Sequence, residues 1–126
     1  MPEVVDTTRW PVAVVLVDAM VDLTGAQAIT AELDSLFARR QPMGIVFDYQ
    51  AGLPEAQQHI SQWLAERALL SEPPITGAVT VVAEDRVDHI RAMIESGTFS
   101  MPFPTWASST IDEGVDWCAQ LLRGQP

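Results

Sequence analysis

Val12-Ala13-Val14-Val15-Leu16-Val17, with Pro11 before it and Asp18 after it, is the longest apolar run in the chain. Its β-branched residues favour an extended strand, and the run is continuous rather than alternating, so both of its faces are expected to be covered. Asp18 ends it. Thr24-Gly25 then opens a helix that runs to about Arg40, with Ile29, Leu33, Leu36 and Phe37 at helical spacing. Gln41-Pro42 stops that helix.

The same strand-then-helix unit recurs along the chain. Gly44-Ile45-Val46-Phe47 is a second strand, closed by Asp48-Tyr49. Leu53-Pro54-Glu55 starts the next helix, with proline in the first turn, where its missing N–H costs nothing. Ile60, Trp63, Leu64 and Leu70 form the inner face of that helix. Ser71-Glu72-Pro73-Pro74 breaks the chain, and Gly77 to Ala83 is the third strand. Asp85 is placed to cap a third helix, with Val87, Ile90 and Ile94 facing inward and Ser96-Gly97 at its end. Pro104-Thr105-Trp106-Ala107 is a brief fourth strand. Thr110-Ile111-Asp112-Glu113 fits a capping box, and Ile111, Val115, Cys118 and Leu122 make the stripe of the last helix. Four βα units in succession predict a single α/β domain over residues 1–126 with a mainly parallel sheet. Glu3 to Thr8 leaves room for a short extra N-terminal strand.

At 126 residues the chain has the size of one domain and can bury roughly two thirds of its unfolded surface without a metal or disulfide. The single cysteine excludes an internal disulfide, and no signal peptide or membrane span is read in the chain, so a cytoplasmic location is expected. The net charge is −10 and every basic residue is an arginine. Such a surface repels phosphate backbones and anionic lipid, which argues against nucleic acid and membrane insertion. The pair Arg39-Arg40 is read as complementing the dipole at a helix C-terminus.

In open α/β sheets ligands sit outside the carboxyl ends of the strands. Those ends carry Asp18, Asp48-Tyr49, Glu84-Asp85-Arg86 and Ser108-Ser109. If Asp18, Asp48 and Asp85 converged, they could hold Mg²⁺ and an anionic substrate. Aspartate is also favoured at such turns because it caps the following helix, and that reading is preferred; no cofactor or metal is expected. There is no phosphate-binding glycine loop and no Gly-x-Ser-x-Gly elbow. A two-component receiver domain needs a lysine near its acids, and the spacing of Asp18 and Asp48 by one helix is wrong for it. Cys118 lies on an apolar stripe and reads as a buried thiol. His59 and His89 have no second ligand at i+4 and read as solvent-edge residues. Phe99 to Trp106, with Met101, Phe103 and the two prolines Pro102 and Pro104 within it, suits a protein or apolar-ligand contact, although large apolar groups more often fold into the core.

Three passages together resemble the STAS-like domains, the group that includes anti-sigma-factor antagonists and the cytoplasmic tails of sulfate transporters. They are Trp10 to Val17 with its Thr24-Gly25 helix start, Pro42-Met43-Gly44-Ile45-Val46-Phe47-Asp48, and Trp106 to Trp117. The likeness is one of element layout and covers most of the chain; the related CRAL-TRIO lipid-binding fold shares part of the plan. The resemblance implies a non-enzymatic regulatory or ligand-sensing module. The antagonists switch through a serine just after the Asp-ended strand, whereas here Asp48-Tyr49-Gln50-Ala51-Gly52 is followed by no Ser or Thr until Ser61. The resemblance therefore does not extend to a phospho-switch or to sigma-factor control.

The expected function is a binding or regulatory module acting through protein–protein contact, with Asp18, Asp48, Tyr49, Asp85, Arg86, Phe103 and Trp106 as candidate contact residues. The alternatives are a small metal-dependent enzyme using the strand-end aspartates, or a carrier of an apolar ligand. A homodimer is one way to cover the second face of the sheet.

Overall fold

The computed structural model describes residues 5–17, 22–39, 41–49, 57–70, 75–97 and 103–123. In chain order the elements are β1 (Val5–Asp6), β2 (Val12–Leu16), α1 (Leu23–Phe37), β3 (Met43–Asp48), α2 (Gln57–Leu70), β4 (Ile75–Val81), α3 (Glu84–Glu95), β5 (Thr105–Ser108) and α4 (Ile111–Arg123). The expected α/β fold is present, with four βα units and the short N-terminal strand. The five strands lie in the order β1-β2-β3-β4-β5. β1 is antiparallel to β2, with Val5 opposite Val15 and Asp6 opposite Val14. The other pairs are parallel, so Val14, Val46, Val79 and Trp106 lie in one row across the sheet.

This order explains where the helices go. Each crossover from β2 to β5 steps to the next strand in the same direction, and right-handed crossovers then place α1, α2 and α3 on one face. Only α4, which has no strand after it among the described residues, is free to fold onto the other face. Strand alternation separates two cores accordingly. Ala13, Val15, Ile45 and Phe47 point to the three-helix side and pack with Ile29, Leu33, Ile60, Leu64 and Val87. Val12, Val14, Val46, Val79 and Val81 point the other way, towards Cys118 and its neighbours on α4. The continuous apolar strands are thus covered on both faces, and the second cover is the chain's own last helix.

That helix sits very close to the sheet. A Cβ at Gly44 would lie 2.7 Å from the Cβ of Cys118, and one at Gly77 would lie 2.6 Å from the Leu121 Cδ1. On the helix side, a Cβ at Gly114 would meet Val46 and Val79 at 3.1 Å. Glycine at Gly44 therefore sets the approach distance, since a side chain there meets the Cβ of Cys118, whereas at Gly77 the nearest atom is the end of the Leu121 side chain, which can turn aside.

The helix starts differ in detail from the sequence reading. The cap of α1 is Asp22, not Thr24; its carboxylate accepts from the Gly25 N–H at 2.9 Å. Asp85 does not cap α3. That helix begins one residue earlier, Ala83 occupies the cap position with no side-chain bond, and Glu84 and Asp85 fill the first turn, where negative charge suits the helix dipole. At α4 the Thr110 Oγ1 does accept from the Glu113 N–H, at 3.1 Å. Arg39 lies beyond the last turn of α1, and its guanidinium stacks 4.7 Å above the Trp10 ring. Trp10 in turn donates its indole N–H to Gln41 at 3.1 Å, which ties the β1–β2 hairpin to the entry of β3. Arg40, the second member of that pair, lies outside the described residues. Helix α2 begins at Gln57, and its expected start at Leu53-Pro54-Glu55 also lies outside them.

Candidate functional site

The carboxyl edge of the sheet is defined by Leu16, Asp48, Val81 and Ser108, which stand in register on β2 to β5. The ladder continues one step further through Val17 N–H to Asp48, Tyr49 N–H to Val81 and Val82 N–H to Ser108, at 2.8–3.1 Å. Past this point the chain leaves the strands. Asp18 lies outside the described residues. Asp48 ends β3 half-buried, while Asp85 and Arg86 are exposed in the first turn of α3. Among the described residues no group of three or more His, Cys, Asp and Glu side chains comes together that could hold a metal ion.

Three of the other candidate residues are drawn away from the surface. Tyr49 continues the alternation of Ile45 and Phe47, so its ring points into the three-helix core, is 4 % exposed and stacks on Phe47 with centroids 5.9 Å apart. Phe103 is buried in the same core. Trp106 is half-buried against the α4 side, and the Arg91 guanidinium covers it at 4.7 Å from the ring centroid. The remainder of the proline-rich loop, residues 98–102, lies outside the described residues. Cys118 is wholly buried, its thiol faces the Ile45 carbonyl at 3.9 Å, and loss of water pushes its pKa up from 9.0 to about 12. It is a packed thiol, not a nucleophile.

The accessible feature of this edge is one that sequence reasoning missed. α4 lies over β3 and β4 and leaves the β1–β2 side of its face open. There an open cleft of about 460 Å³ is floored by Val14 and Leu16 and walled by Ile111 of α4. Leu16 is 41 % exposed although it belongs to the run that decides the fold. A signal for this was present in the alternation itself: Val12, Val14 and Leu16 share one face, and the last of them stands at the strand end, past the cover of the helix.

Charged groups ring the cleft. Asp6, opposite Val14 in the sheet, accepts from the Thr8 N–H at 2.8 Å. That bond, and then the bond from the Thr8 hydroxyl, hold the Asp6 carboxyl below the usual carboxylate range, so it is ionised at neutral pH. Arg9 is set by the hairpin turn, where its carbonyl accepts from the Val12 N–H at 3.0 Å. It reaches across to the first turn of α4 and meets Asp112 at 2.8 Å. The wall itself is fixed by a buried serine: the Ser108 hydroxyl donates to the Thr110 carbonyl at 2.8 Å, just ahead of the α4 cap. The arrangement offers an apolar floor with acid groups at its rim.

No described helix is long and apolar enough to cross a membrane. Compared with protein-family models, with curated proteins and with solved structures, the chain matches none.

Proposed function

We propose that the chain is a binding module of STAS-like plan that acts through protein–protein contact, with the cleft at the carboxyl edge of β2 as its contact surface. The observation that carries this reading is the exposure of Leu16 on the cleft floor, at the sheet edge where α/β folds take their ligands. Leu23, at the start of α1, is 55 % exposed, so the two large apolar side chains left outside the core among the described residues flank the same β2–α1 connection. Apolar centre and charged rim are the usual anatomy of a contact surface. The layout that carries the STAS-like resemblance supports a regulatory rather than a catalytic role. Asp48 adjoins this surface; the 50–56 turn, which the sequence reading includes in it, lies outside the described residues.

The test is a photo-crosslinking amino acid placed at position 16 and, separately, at the exposed His89 of α3, in the source cell. A discrete adduct with another protein from position 16 and not from position 89 is expected. Leu16→Asp should abolish recovery of that protein while thermal unfolding stays within about 3 °C. Adducts of equal yield from both positions overturn the reading.

A further inference from the structure

We infer that the cleft takes a short basic segment of a partner protein, one large apolar side chain of which seats on Leu16 and Ile111 while a neighbouring Lys or Arg reaches Asp6 and Asp112. The inference rests on the contact reading above and adds the chemistry of the partner. Three observations lead to it. The cleft is open to solvent, so a main chain can lie across it, and its volume of about 460 Å³ accepts a side chain of leucine or methionine size with its neighbours. Its rim holds two carboxylates against one guanidinium. Asp112 is 82 % exposed, so its pairing with Arg9 leaves acceptor sites open to a second cation.

The Arg9–Asp112 pair does not close the cleft. Both side chains are well exposed, and such a pair contributes at most about 1 kcal/mol, so an incoming cation can share or displace it at little cost. Charge selects the occupant at longer range as well. A chain of net charge −10 without lysine steers basic segments inward and repels acidic ones. A second copy of the chain would set Asp6 and Asp112 against equally acidic surfaces, and nucleic acid or an anionic bilayer would meet the same repulsion.

The test is selection of random nonapeptides displayed on phage against the full chain, followed by fluorescence polarisation with the recovered peptides made synthetically. Peptides with one large apolar residue beside Lys or Arg are expected. Their affinity should fall at least tenfold on Leu16→Asp, and equally on Leu16→Ser if the first variant melts early. Asp6→Asn with Asp112→Asn should weaken them at least fivefold, and added salt should do the same. Peptides that need Leu16 but carry no basic bias overturn the inference and leave the contact reading standing. Peptides indifferent to Leu16, or none recovered, overturn the inference, and the crosslinking experiment then judges the contact reading by itself. A dimer in light scattering that Leu16→Asp dissolves assigns the cleft to a second copy and also overturns it.

Discussion

On one face of the sheet three helices bring Ile29, Leu33, Ile60 and Val87 down onto Ile45 and Phe47; on the other a single helix lays Gly114 and Cys118 onto Val46, Val79 and Gly44. The first face is filled by large side chains meeting large side chains. The second is filled by removing side chains until helix and sheet backbones nearly touch. The two solutions fail in opposite ways. A core of large groups is sensitive to deletion, which leaves a cavity, whereas a glycine contact is sensitive to addition, which forces the layers apart. The two faces also differ in reach: three helices span the sheet, but one helix buries Val12 and Val14 and leaves Leu16 exposed on the open strip beside β1, where the cleft lies.

The largest effect is expected on the three-helix face. Leu33→Ala, at a fully buried position, should destabilise the fold by about 2–5 kcal/mol in denaturant unfolding. A loss below 1 kcal/mol there would mean that this core is loosely packed. On the α4 face Gly44→Ala, the addition of one methyl group, should cost about 1–3 kcal/mol. Cys118→Ala should recover less than Cys118→Gly, because it removes the Sγ conflict at 2.9 Å and leaves the closer one at 2.7 Å with the Cβ. Full rescue by the alanine variant would refute the close-contact account.

The same cysteine gives the α4 face a pH signature of its own. Its folded pKa is about 12 against 9.0 for a free thiol, so above pH 9.0 the unfolded chain releases a proton that the folded chain keeps. Stability is therefore undiminished by this group below pH 9.0 and falls as pH rises from 9.0 towards about 12, by roughly 1.4 kcal/mol per unit inside that window. Melting curves of Cys118→Ala should show a shallower decline over the same range, and identical slopes would remove the thiol as the cause.

A smaller effect is expected at the β5 margin. Arg91 donates its Nε–H to the Ala107 carbonyl at 3.0 Å while stacked on Trp106. Arg91→Ala should cost about 1–2 kcal/mol, and Arg91→Lys should restore less than half of it, since an ammonium lacks the planar stack. Full recovery by lysine would show that charge alone matters. The smallest effect belongs to the open strip. A double-mutant cycle on Arg9→Ala and Asp112→Ala should give a coupling below about 1 kcal/mol; a larger value would mean the pair braces α4 instead of leaving the cleft accessible.

These contrasts also show why parts of the molecule could be read from the sequence and parts could not. Helix stripes such as Ile29, Leu33, Leu36 and Phe37 are local periodicities, and all four are buried as that spacing predicts. The Thr110 cap is local too, and it forms. The sequence opens α1 at Thr24-Gly25, whereas the helix starts at Leu23, because the extended backbone and carboxylate of Asp22 cap it. Tyr49 was taken as a surface residue because it follows a strand-ending aspartate, yet its parity with Ile45 and Phe47 already pointed inward. The cleft is legible only in part: the alternation sets Leu16 on one face with Val12 and Val14, but no strand follows α4 among the described residues, so which face α4 takes and how far it covers Leu16 are settled by long-range packing. The acids Asp48 and Asp85 were legible as strand-end residues, but their relation to Asp18 is not described.

A parallel sheet of this kind has two borders, β1 and β5, and a border with free hydrogen-bonding groups can accept a strand from another molecule. The carbonyls of Pro104 and Ser108 point to β4, so that of Ala107, between them in the alternation, points outward, and it is this one that Arg91 occupies. Border-to-border joining of identical molecules into an endless ribbon uses both borders of every molecule. Blocking one border is enough to stop it. A single arginine, reaching around from α3, therefore covers the outward carbonyl of the β5 border, and the opposite border offers only Val5 and Asp6 among the described residues.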